Sequence, residues 1–476
     1  MLFNSLHFVA FFLIVTPLYF ILPHKFRWVL LLIASCYFYM TFIPIYILIL
    51  VFTIIVDYFA GILIEKSEGR ERKLYLTISL VANIGVLAFF KYFNFLNENL
   101  TLLMSEIGLR NAIPYLSIVL PVGLSFHTFQ AMSYTIEVYR GNQAAERHFG
   151  IYSLYVMFYP QLVAGPIERP QNLLHQFYEK HPLTYENFSA GFKMILWGFF
   201  QKLVVADRLS IFVSAVYQNP GAYSSSMLLV AILFFAFQIY ADFAGYSNIA
   251  LGTARIMGYK LMTNFNTPFF ATSVTEYWRR WHISLNTWFN DYLFTPIMVA
   301  NRDWGKVAVI FALMITFGLS GLWHGAGWTY IMYGLLHGVA VSYEFLTKKF
   351  RKKLSKAMPT TLYNGLSMLI VFTYVCLTWV FFRAQTWHDA ITVYKGLFAF
   401  KGSFFVFDNN LGVILYSLAG IGILLAHDVS AHLNHGKSYF FHHKSAAVRM
   451  ATYCFILVTI VLIGVFDGGQ FIYFKF

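Results

Sequence analysis

One stretch of this chain begins with Thr275-Glu276-Tyr277-Trp278-Arg279-Arg280-Trp281-His282-Ile283-Ser284-Leu285 and ends with Gly321-Leu322-Trp323-His324-Gly325-Ala326-Gly327. Both ends place a histidine directly after a tryptophan, and His282 also follows two arginines. These side chains stand out because the sequence around them is strongly apolar. His282 and His324 are therefore the first candidates for chemistry in this chain.

The composition is that of a membrane protein. Of the 476 residues, 59% are hydrophobic and only 12% are charged, whereas soluble domains carry about 25% charged residues. The apolar residues occur in runs of helical length rather than in alternating segments of about ten residues, which favours a helix bundle over a β-barrel. The sequence predicts an all-α polytopic membrane protein and excludes a soluble domain.

Apolar runs divide the chain into candidate membrane-spanning segments, several of them shorter than a crossing requires. We expect about eleven crossings plus re-entrant and interfacial helices, in a single membrane domain over residues 1–476. N-terminal helices would occupy residues 1–135, a catalytic core about residues 150–345, and C-terminal helices residues 360–476. The candidate segments are Phe3–Leu22, Trp28–Ile45, Ile47–Ile64, Leu74–Phe90, Tyr115–Tyr134, Ile151–Val163, Phe188–Val205, Met227–Phe243, Val307–Leu322, Tyr330–Phe345, Leu362–Phe382, Leu411–Ala426 and Val448–Phe466.

The basic residues indicate orientation. The formal net charge is +13, and the lysines and arginines lie in short loops, as the positive-inside rule predicts, rather than forming a nucleic-acid surface. An outside N-terminus puts the basic loops in the cytosol and leaves the C-terminus outside. The first apolar run, Phe8–Leu22, lacks the flanks of a signal peptide, so we expect a retained helix. The basic loops are 24–27, 66–73, 140–147, Lys348–Lys353 and Lys437–Arg449.

Neither the cysteines nor the C-terminal histidines form a metal-ligand pattern. The three cysteines are far apart in apolar stretches, which predicts buried small side chains without disulfides. The histidines share a basic loop without a carboxylate-rich second shell, so we expect structural or solvated roles and no metal. These residues are Cys36, Cys376, Cys454, His427, His432, His435, His442 and His443.

Two segments in the middle of the chain interrupt the apolar pattern. Gly165–Pro170 contains a helix-breaking pair together with Glu168 and Arg169. Non-helical backbone at membrane depth occurs where it lines a cavity, and an ordinary exposed loop is an equally good interpretation. Lys202, Asp207 and Arg208 form a second group, which we interpret as a paired cap at a helix end.

A third segment, Phe237–Asn248, places Gln238, Asp242 and Asn248 in an apolar region. An intramembrane carboxylate is a functional candidate, so Asp242 is taken as a substrate-binding candidate. For Gln238 and Asn248 a polar cluster between packed helices is favoured. Gly245 would permit two helices to approach closely.

Residues Tyr277–Tyr292 follow the spacing of one amphipathic helix. The aromatic residues fall on one face, and Arg279 lies on the polar side. His282 falls between the faces, four residues before Asn286, so their side chains could touch. Such a helix is expected in the inner membrane interface, where Arg279 and Arg280 could bind the phosphates of a cytosolic donor such as a coenzyme A thioester. The alternative is an anchor helix without chemistry.

His324 follows an apolar run and stands in a glycine-rich turn. A neutral imidazole is well suited to accept a proton at neutral pH. The glycines at 321, 325 and 327 would let a substrate approach the backbone closely. The alternative is a histidine that is hydrogen-bonded between helices.

An ordered set of motifs resembles the membrane-bound O-acyltransferase family, and within it the membrane subunits of bacterial alginate O-acetylation. The likeness covers nearly the whole chain, with two departures, at Pro296-Ile297-Met298 and at Ala244. The matching segments are Met1–Ser5, Gly165–Pro170, Tyr240–Ser247, Asn264–Pro268, Trp278–Leu285, Asp291-Tyr292, Gly321–Trp328 and Phe471–Phe474.

The resemblance implies a fold of about eleven crossings and re-entrant helices around a tunnel. It also implies that His324 is the catalytic histidine and that His282 occupies a second position, which is Asn or His across the family. The protein would transfer an acetyl group from a cytosolic acyl thioester to an acceptor beyond the bacterial inner membrane. A periplasmic SGNH-hydrolase-like protein would be its partner, and no cofactor would stay bound. The predicted donor- and substrate-binding residues are Arg279, Arg280, Trp281, Asn286, Trp323 and Asp242.

Two other functions remain open at this point. The first is D-alanyl transfer to teichoic acid, which would use a carrier-protein thioester and the same histidine. The second is a transporter or flippase that moves a substituted glycan without chemistry.

Overall fold

The computed structural model describes residues 1–402, 411–434, 436, 438–466 and 471–472. Over these residues the regular secondary structure is helical, and the described part of the chain contains no β-strand. The prediction of an all-α protein is therefore confirmed. The predicted motif residues Tyr473 and Phe474, as well as His435, lie outside the described residues.

The chain divides into two compact units. The first comprises Met1–Ile195 and Ile249–Met262, and the second comprises Leu196–Asn248 and Thr263–Phe476. Helices of the first unit are α1 Leu6–Ile21, α2 His24–Met40, α3 Ile47–Lys66, α4 Gly69–Leu87, α5 Phe93–Glu106, α6 Leu124–Arg140, α7 Phe149–Met157, α8 Pro170–Leu173 and most of α9 Tyr185–Phe199. That the whole chain forms a single membrane domain stays a prediction.

The second unit contains the two histidine motifs. The last turns of α11, from Ile249, are assigned to the first unit. The helices of the second unit follow in chain order. They are α10 Asp207–Gln218, α11 Ser225–Ile256, α12 Val274–Arg280, α13 Ile283–Phe289, α14 Thr295–Ala300, α15 Lys306–His324, α16 Trp328–Leu346, α17 Lys348–Ala357, α18 Thr360–Arg383, α19 Trp387–Phe398, α20 Leu411–Leu433 and α21 Ala446–Ile463. Within this unit, two π-helical segments interrupt the regular pattern, Phe200–Ala206 and Asn290–Phe294.

Seven helices in the described ranges are long and apolar enough to cross a membrane. A further apolar helix, Leu6–Ile21, is shorter. The expectation of about eleven crossings thus stays a prediction. The seven helices are Pro44–Lys66, Gly69–Glu106, Ser225–Ile256, Lys306–His324, Thr360–Arg383, Leu411–Leu433 and Ala446–Ile463.

Several predicted segment boundaries are wrong, for local reasons. The segment predicted at Tyr115–Tyr134 becomes helical only at Leu124, because Pro121 and the left-handed Gly123 (φ +77°) precede it. The segment predicted at Ile151–Val163 ends as a helix at Met157. Met227–Phe243 forms part of α11, a helix of 32 residues.

The non-helical segment Gly165–Pro170 lies inside the first unit. Glu168 is fully buried, and one of its carboxylate oxygens accepts a hydrogen bond from the Met262 N–H. Because burial disfavours the charged form, the pKa of Glu168 is raised to about 7, against the lowering effect of that hydrogen bond and of nearby Arg169. The interpretation as an ordinary exposed loop is therefore wrong.

One of the three cysteines departs from the prediction. Cys376 is buried and Cys36 is half-buried, but Cys454 is exposed on α21. All three are free thiols, as predicted. Cys454 lies on the apolar helix α21, and an outward-facing residue of such a helix can be apolar where it contacts lipid.

Helices α15 and α16 pack closely through glycine. A Cβ atom placed on Gly321 would lie 2.2 Å from the Tyr330 carbonyl oxygen, and one on Gly334 would lie 2.1 Å from the Phe317 carbonyl oxygen. Small residues of this kind let membrane helices approach each other closely. Gly321 therefore serves helix packing, where the sequence had predicted substrate approach, and this packing fixes the end of α15 that carries His324.

Candidate active site

The predicted helix Tyr277–Tyr292 is broken at His282. Helix α12 begins after Ser273, whose Oγ accepts the Glu276 N–H, and it ends at Arg280. Helix α13 starts at Ile283, and between them His282 adopts a left-handed conformation with φ +43° and ψ +55°. Left-handed backbone costs a non-glycine residue about 1–2 kcal/mol. Strained conformations of this kind cluster at functional sites.

The aromatic face of this broken segment packs within the protein. Trp278, Trp281 and Trp288 are all buried. The Trp281 ring centroid lies 5.1 Å from that of Phe265 and 5.1 Å from that of Trp379. The expectation that this face anchors an interfacial helix in lipid is therefore wrong.

His282 and His324 approach the same tryptophan. The ring centroid of Trp323 lies 6.0 Å from that of His282 and 5.0 Å from that of His324. Phe243 contacts His282 edge-on at 4.5 Å, and Phe382 contacts His324 at 5.3 Å. The relative exposure of His282 is 0% and that of His324 is 2%. The two histidines, 42 positions apart in sequence, thus share one enclosed aromatic environment.

Charge in this environment is unfavourable at His282. Burial lowers the pKa of the His282 imidazole well below its ordinary value, and repulsion by a protonated His324 lowers it further. A neutral imidazole can donate one hydrogen bond and accept another. His282 is therefore suited to orient or polarise a bound group rather than to carry a charge.

His324 is placed differently, as the last residue of α15. The turn that follows is tight, because a Cβ atom on Gly325 would lie 2.3 Å from the Tyr330 ring. Gly325 therefore permits Tyr330 to close over the end of α15.

A third buried histidine, His337, was not selected by sequence reasoning. Its Nδ1 accepts the indole N–H of Trp278 at 3.2 Å, and its Nε2 lies 3.0 Å from Thr378 Oγ1. The hydroxyl of Thr378 donates to the Val375 carbonyl at 2.8 Å, so Nε2 of His337 carries the proton. Both ring nitrogens are thereby used, and His337 is a structural histidine rather than a base.

The predicted donor-binding residues are only partly available to a ligand. Arg279 is exposed, whereas Arg280 forms an ion pair with Glu276 at 2.7 Å and donates to Thr267 Oγ1 at 3.2 Å. The side-chain amide of Asn286 donates to the Trp278 carbonyl across the break, instead of the predicted contact with His282. Within this group, Arg279 alone presents an exposed cation.

Asp242 belongs to a buried charge cluster that the sequence did not predict. Nζ of Lys202 lies 2.8 Å from Asp207 Oδ1 and 2.8 Å from Asp242 Oδ1. The other oxygen of Asp242 accepts the Ile472 N–H at 2.7 Å. Lys202 stands in the π-helical segment Phe200–Ala206. The single cap predicted for Lys202 and Asp207 is therefore part of a three-residue cluster that includes Asp242.

Asn248 and Gly245 of α11 both contribute to helix packing. Asn248 donates to the side chain of Gln201 at 2.7 Å. A Cβ atom on Gly245 would lie 2.8 Å from the Gly198 carbonyl oxygen. The predictions of a polar packing contact for Asn248 and of close helix approach at Gly245 are confirmed.

The C-terminal histidines are dispersed. Nδ1 of His427 lies 3.0 Å from Asp428 Oδ1 and its ring stacks on Trp197 at 3.9 Å, and His432 stacks on Phe270 at 4.7 Å. Among the described residues, which do not include His435, no group of three or more metal-ligating side chains could hold a metal ion. That these histidines bind no metal stays a prediction.

The described chain thus combines seven helices that are long and apolar enough to cross a membrane with two buried histidines beside one tryptophan. The model of the membrane-bound O-acyltransferase family, MBOAT, matches residues 71–384. The chain belongs to this family, and it is an acyltransferase. The family assignment favours an enzyme over the transporter alternative.

Curated relatives extend this likeness over most of the chain. A peptidoglycan O-acetyltransferase of Helicobacter pylori is 33% identical over 404 residues, covering 78% of this chain and 74% of the relative. A probable alginate O-acetylase AlgI of Pseudomonas aeruginosa is 35% identical over 403 residues, covering 84% of this chain and 75% of the relative. A teichoic acid D-alanyltransferase of Bacillus subtilis is 28% identical over 280 residues, covering 56% and 69%.

Proposed function

We propose that this protein transfers an acetyl group from a cytosolic acyl thioester to hydroxyl groups of an extracytoplasmic polysaccharide. The relatives that match most of the chain carry names for O-acetylation of alginate and of peptidoglycan. The single observation that carries the mechanism is that His282 and His324 both pack against one ring, that of Trp323.

In the proposed reaction, His324 removes the proton from the acceptor hydroxyl as its oxygen attacks the thioester carbonyl. The new C–O ester bond forms and the C–S bond breaks. The proton held by His324 passes to the departing thiolate, so the products are an acetyl ester and a free thiol. His282, which burial keeps neutral, orients the acyl carbonyl and stabilises the oxyanion by donating a hydrogen bond.

The two substrates would reach the site from opposite compartments. The donor, acetyl-coenzyme A or another acyl thioester, would approach from the cytosol past Arg279, whose exposed guanidinium suits a phosphate. The acceptor would come from outside to His324. This arrangement moves an acetyl group across a bacterial inner membrane without moving its carrier. It fits a topology in which the N- and C-termini both lie outside the cytosol. It also fits a periplasmic SGNH-hydrolase-like partner that presents the polymer or completes the transfer to it.

Replacing His324 tests the function directly. Loss of one positioned acid–base group typically lowers a rate by about 10²–10⁴, so His324→Ala should abolish acetyl esters on the surface polymer while the protein stays in the membrane. Mass spectrometry of the surface glycan, with cells lacking the gene as reference, measures the outcome. His443→Ala, in the dispersed C-terminal group, is the matched control and should acetylate normally. Normal acetylation by His324→Ala would refute the assignment.

The same measurement distinguishes the second candidate. A relative of this chain is a teichoic acid D-alanyltransferase, and D-alanyl esters differ from acetyl esters in mass and charge. Alanine esters that depend on His324, with no acetyl esters, would favour D-alanylation. The greater identity and coverage of the O-acetylating relatives support acetyl transfer.

A further inference from the structure

After the backbone break, helix α13 begins without a capping hydrogen bond from the side chain of its N-cap residue, His282. At an ordinary helix start, the side chain of the N-cap residue accepts a hydrogen bond from one of the first free backbone N–H groups. The N-cap residue of α13 is His282, and its side chain makes no such bond. The N–H groups of Ile283 and Ser284 must therefore find acceptors elsewhere, because Ser284 is buried and Ile283 is half-buried beside His282.

Asn264 supplies these acceptors from another segment. Its backbone carbonyl accepts the Ile283 N–H at 3.0 Å. Its side-chain Oδ1 accepts the Ser284 N–H at 3.2 Å and the Ser284 hydroxyl at 2.6 Å. One residue thus satisfies the two donors that directly follow His282.

Further hydrogen bonds fix the position of Asn264. Its amide Nδ2 donates to Ser247 Oγ at 3.0 Å on α11. The neighbouring Asn266 donates its backbone N–H to the Arg280 carbonyl at 2.9 Å, on the other side of the break. Asn264 is buried, whereas the Asn266 side chain is exposed. The segment around Asn264 therefore holds both ends of the break.

We propose that Asn264 is a positioning residue for His282. By capping α13 in place of His282, it holds the left-handed backbone and leaves the imidazole directed at Phe243 and Trp323. Asn264 acts through His282 and does not touch the reacting groups. This inference rests on the proposed function, in which His282 orients the acyl carbonyl.

Displacement of a positioned group by about 1 Å lowers rates by about 10²-fold. Loss of the Asn264 cap should therefore reduce kcat by about 10–100-fold and leave KM for the donor unchanged, because the exposed Arg279 is unaffected. A purely structural role would instead lower the yield of folded protein without changing kcat per folded molecule.

The test compares purified variants in lipid nanodiscs, with acetyl-coenzyme A as donor and thiol release as the readout. Each rate is divided by the amount of folded protein, which is measured by thermal unfolding. Asn264→Ala should lose kcat as stated. Asn264→Asp retains an oxygen for Ser284 and should keep kcat within about threefold, a small part of that loss. The matched control, Asn266→Ala, keeps every backbone bond and should match the unaltered protein.

If Asn264→Ala fails to fold, Asn264→Gln replaces it, since its longer side chain moves the acceptor away from Ser284 and should lose kcat similarly. Wild-type kcat in the variant that folds, or an equal loss in Asn264→Asp, overturns the inference. His282→Ala separates this failure from that of the proposed function. If His282→Ala retains kcat, the role of His282 is wrong, whereas loss in His282→Ala without loss in Asn264→Ala refutes only the positioning role.

Discussion

The left-handed backbone at His282 restricts which residue can stand there. Among non-glycine residues, asparagine, aspartate and histidine are several-fold enriched in this conformation. The resemblance implies Asn or His at this position, and the φ of +43° supplies a physical reason for that choice. The backbone thus selects for two side chains that can also form hydrogen bonds with an acyl carbonyl.

At this scale the sequence predicts identities better than contacts. His282 and His324 could be selected because each is a rare ionisable group in an apolar sequence. Their roles came from the resemblance, whereas their proximity could not be predicted, since no helical period relates positions 42 apart. The pairing of Lys202 with Asp242 could not be predicted, because each residue alone fits an ordinary helix cap.

Glu168 provides a pH-dependent prediction. Its carboxyl has a folded pKa of about 7 against an unfolded value of 4.5, so the folded state holds the proton more tightly. Its contribution to stability is full below the unfolded pKa, falls as pH rises between the two values and stays low above them. Glu168→Gln cannot ionise and should equal the unaltered protein at about pH 4.5 but exceed it by about 2–3 kcal/mol at pH 8.

Thermal unfolding in detergent across this pH range measures the difference between Glu168→Gln and the unaltered protein. Glu186→Gln, at an exposed position, is the control and should show no such growing difference. A constant gap between Glu168→Gln and the unaltered protein at both ends of the range would contradict the prediction.

At the scale of elements, long apolar runs predicted the helices well and their interruptions poorly. Helices α15, α18, α20 and α21 overlap the apolar segments that were predicted for them from the sequence. The break at His282 was missed because the aromatic residues keep a helical spacing across it. Its cause, the cap from Asn264, is a contact between distant residues that no local pattern reveals.

The contact between α15 and α16 gives a prediction for this scale. Alanine normally stabilises a helix relative to glycine by about 1 kcal/mol, but a Cβ atom on Gly334 would lie 2.1 Å from the Phe317 carbonyl. Gly334→Ala should therefore force the helices apart and lower stability by about 1–3 kcal/mol. It should also reduce transfer activity, because α15 carries His324.

The matched control for Gly334→Ala is Gly365→Ala on α18, where a Cβ atom meets nothing within 4 Å. The control should be neutral or slightly stabilising. Thermal unfolding of both variants decides the matter, and equal melting temperatures would show that the close approach of α15 and α16 does not matter for stability.

For the whole molecule, composition established the membrane class and the helical fold. The number of crossings was harder to predict, because several apolar runs become short or broken helices when polar and glycine residues let them pack inside the protein. Seven described helices meet the length and apolar criteria. Orientation in the membrane rests on the basic loops and stays a prediction.

Cysteine labelling tests that orientation. Helix α17 carries the basic run and none of its residues is buried, so Lys352→Cys should react with a membrane-impermeant maleimide only after the membrane is opened. Lys401→Cys, exposed in the loop after α19, should react in intact spheroplasts. The unmodified protein, with its three native cysteines, sets the background. Reaction of Lys352→Cys in intact spheroplasts would invert the proposed topology.

The hydrogen bond from the Ile472 N–H to Asp242 joins residues 230 positions apart. Translation at 5–20 residues per second needs about 10–50 s to cover that distance. During this interval the nascent chain already contains Lys202, Asp207 and Asp242, while one oxygen of Asp242 still awaits its native donor. The last hydrogen bond of the Lys202–Asp207–Asp242 cluster can therefore form only after almost the entire chain has been synthesised.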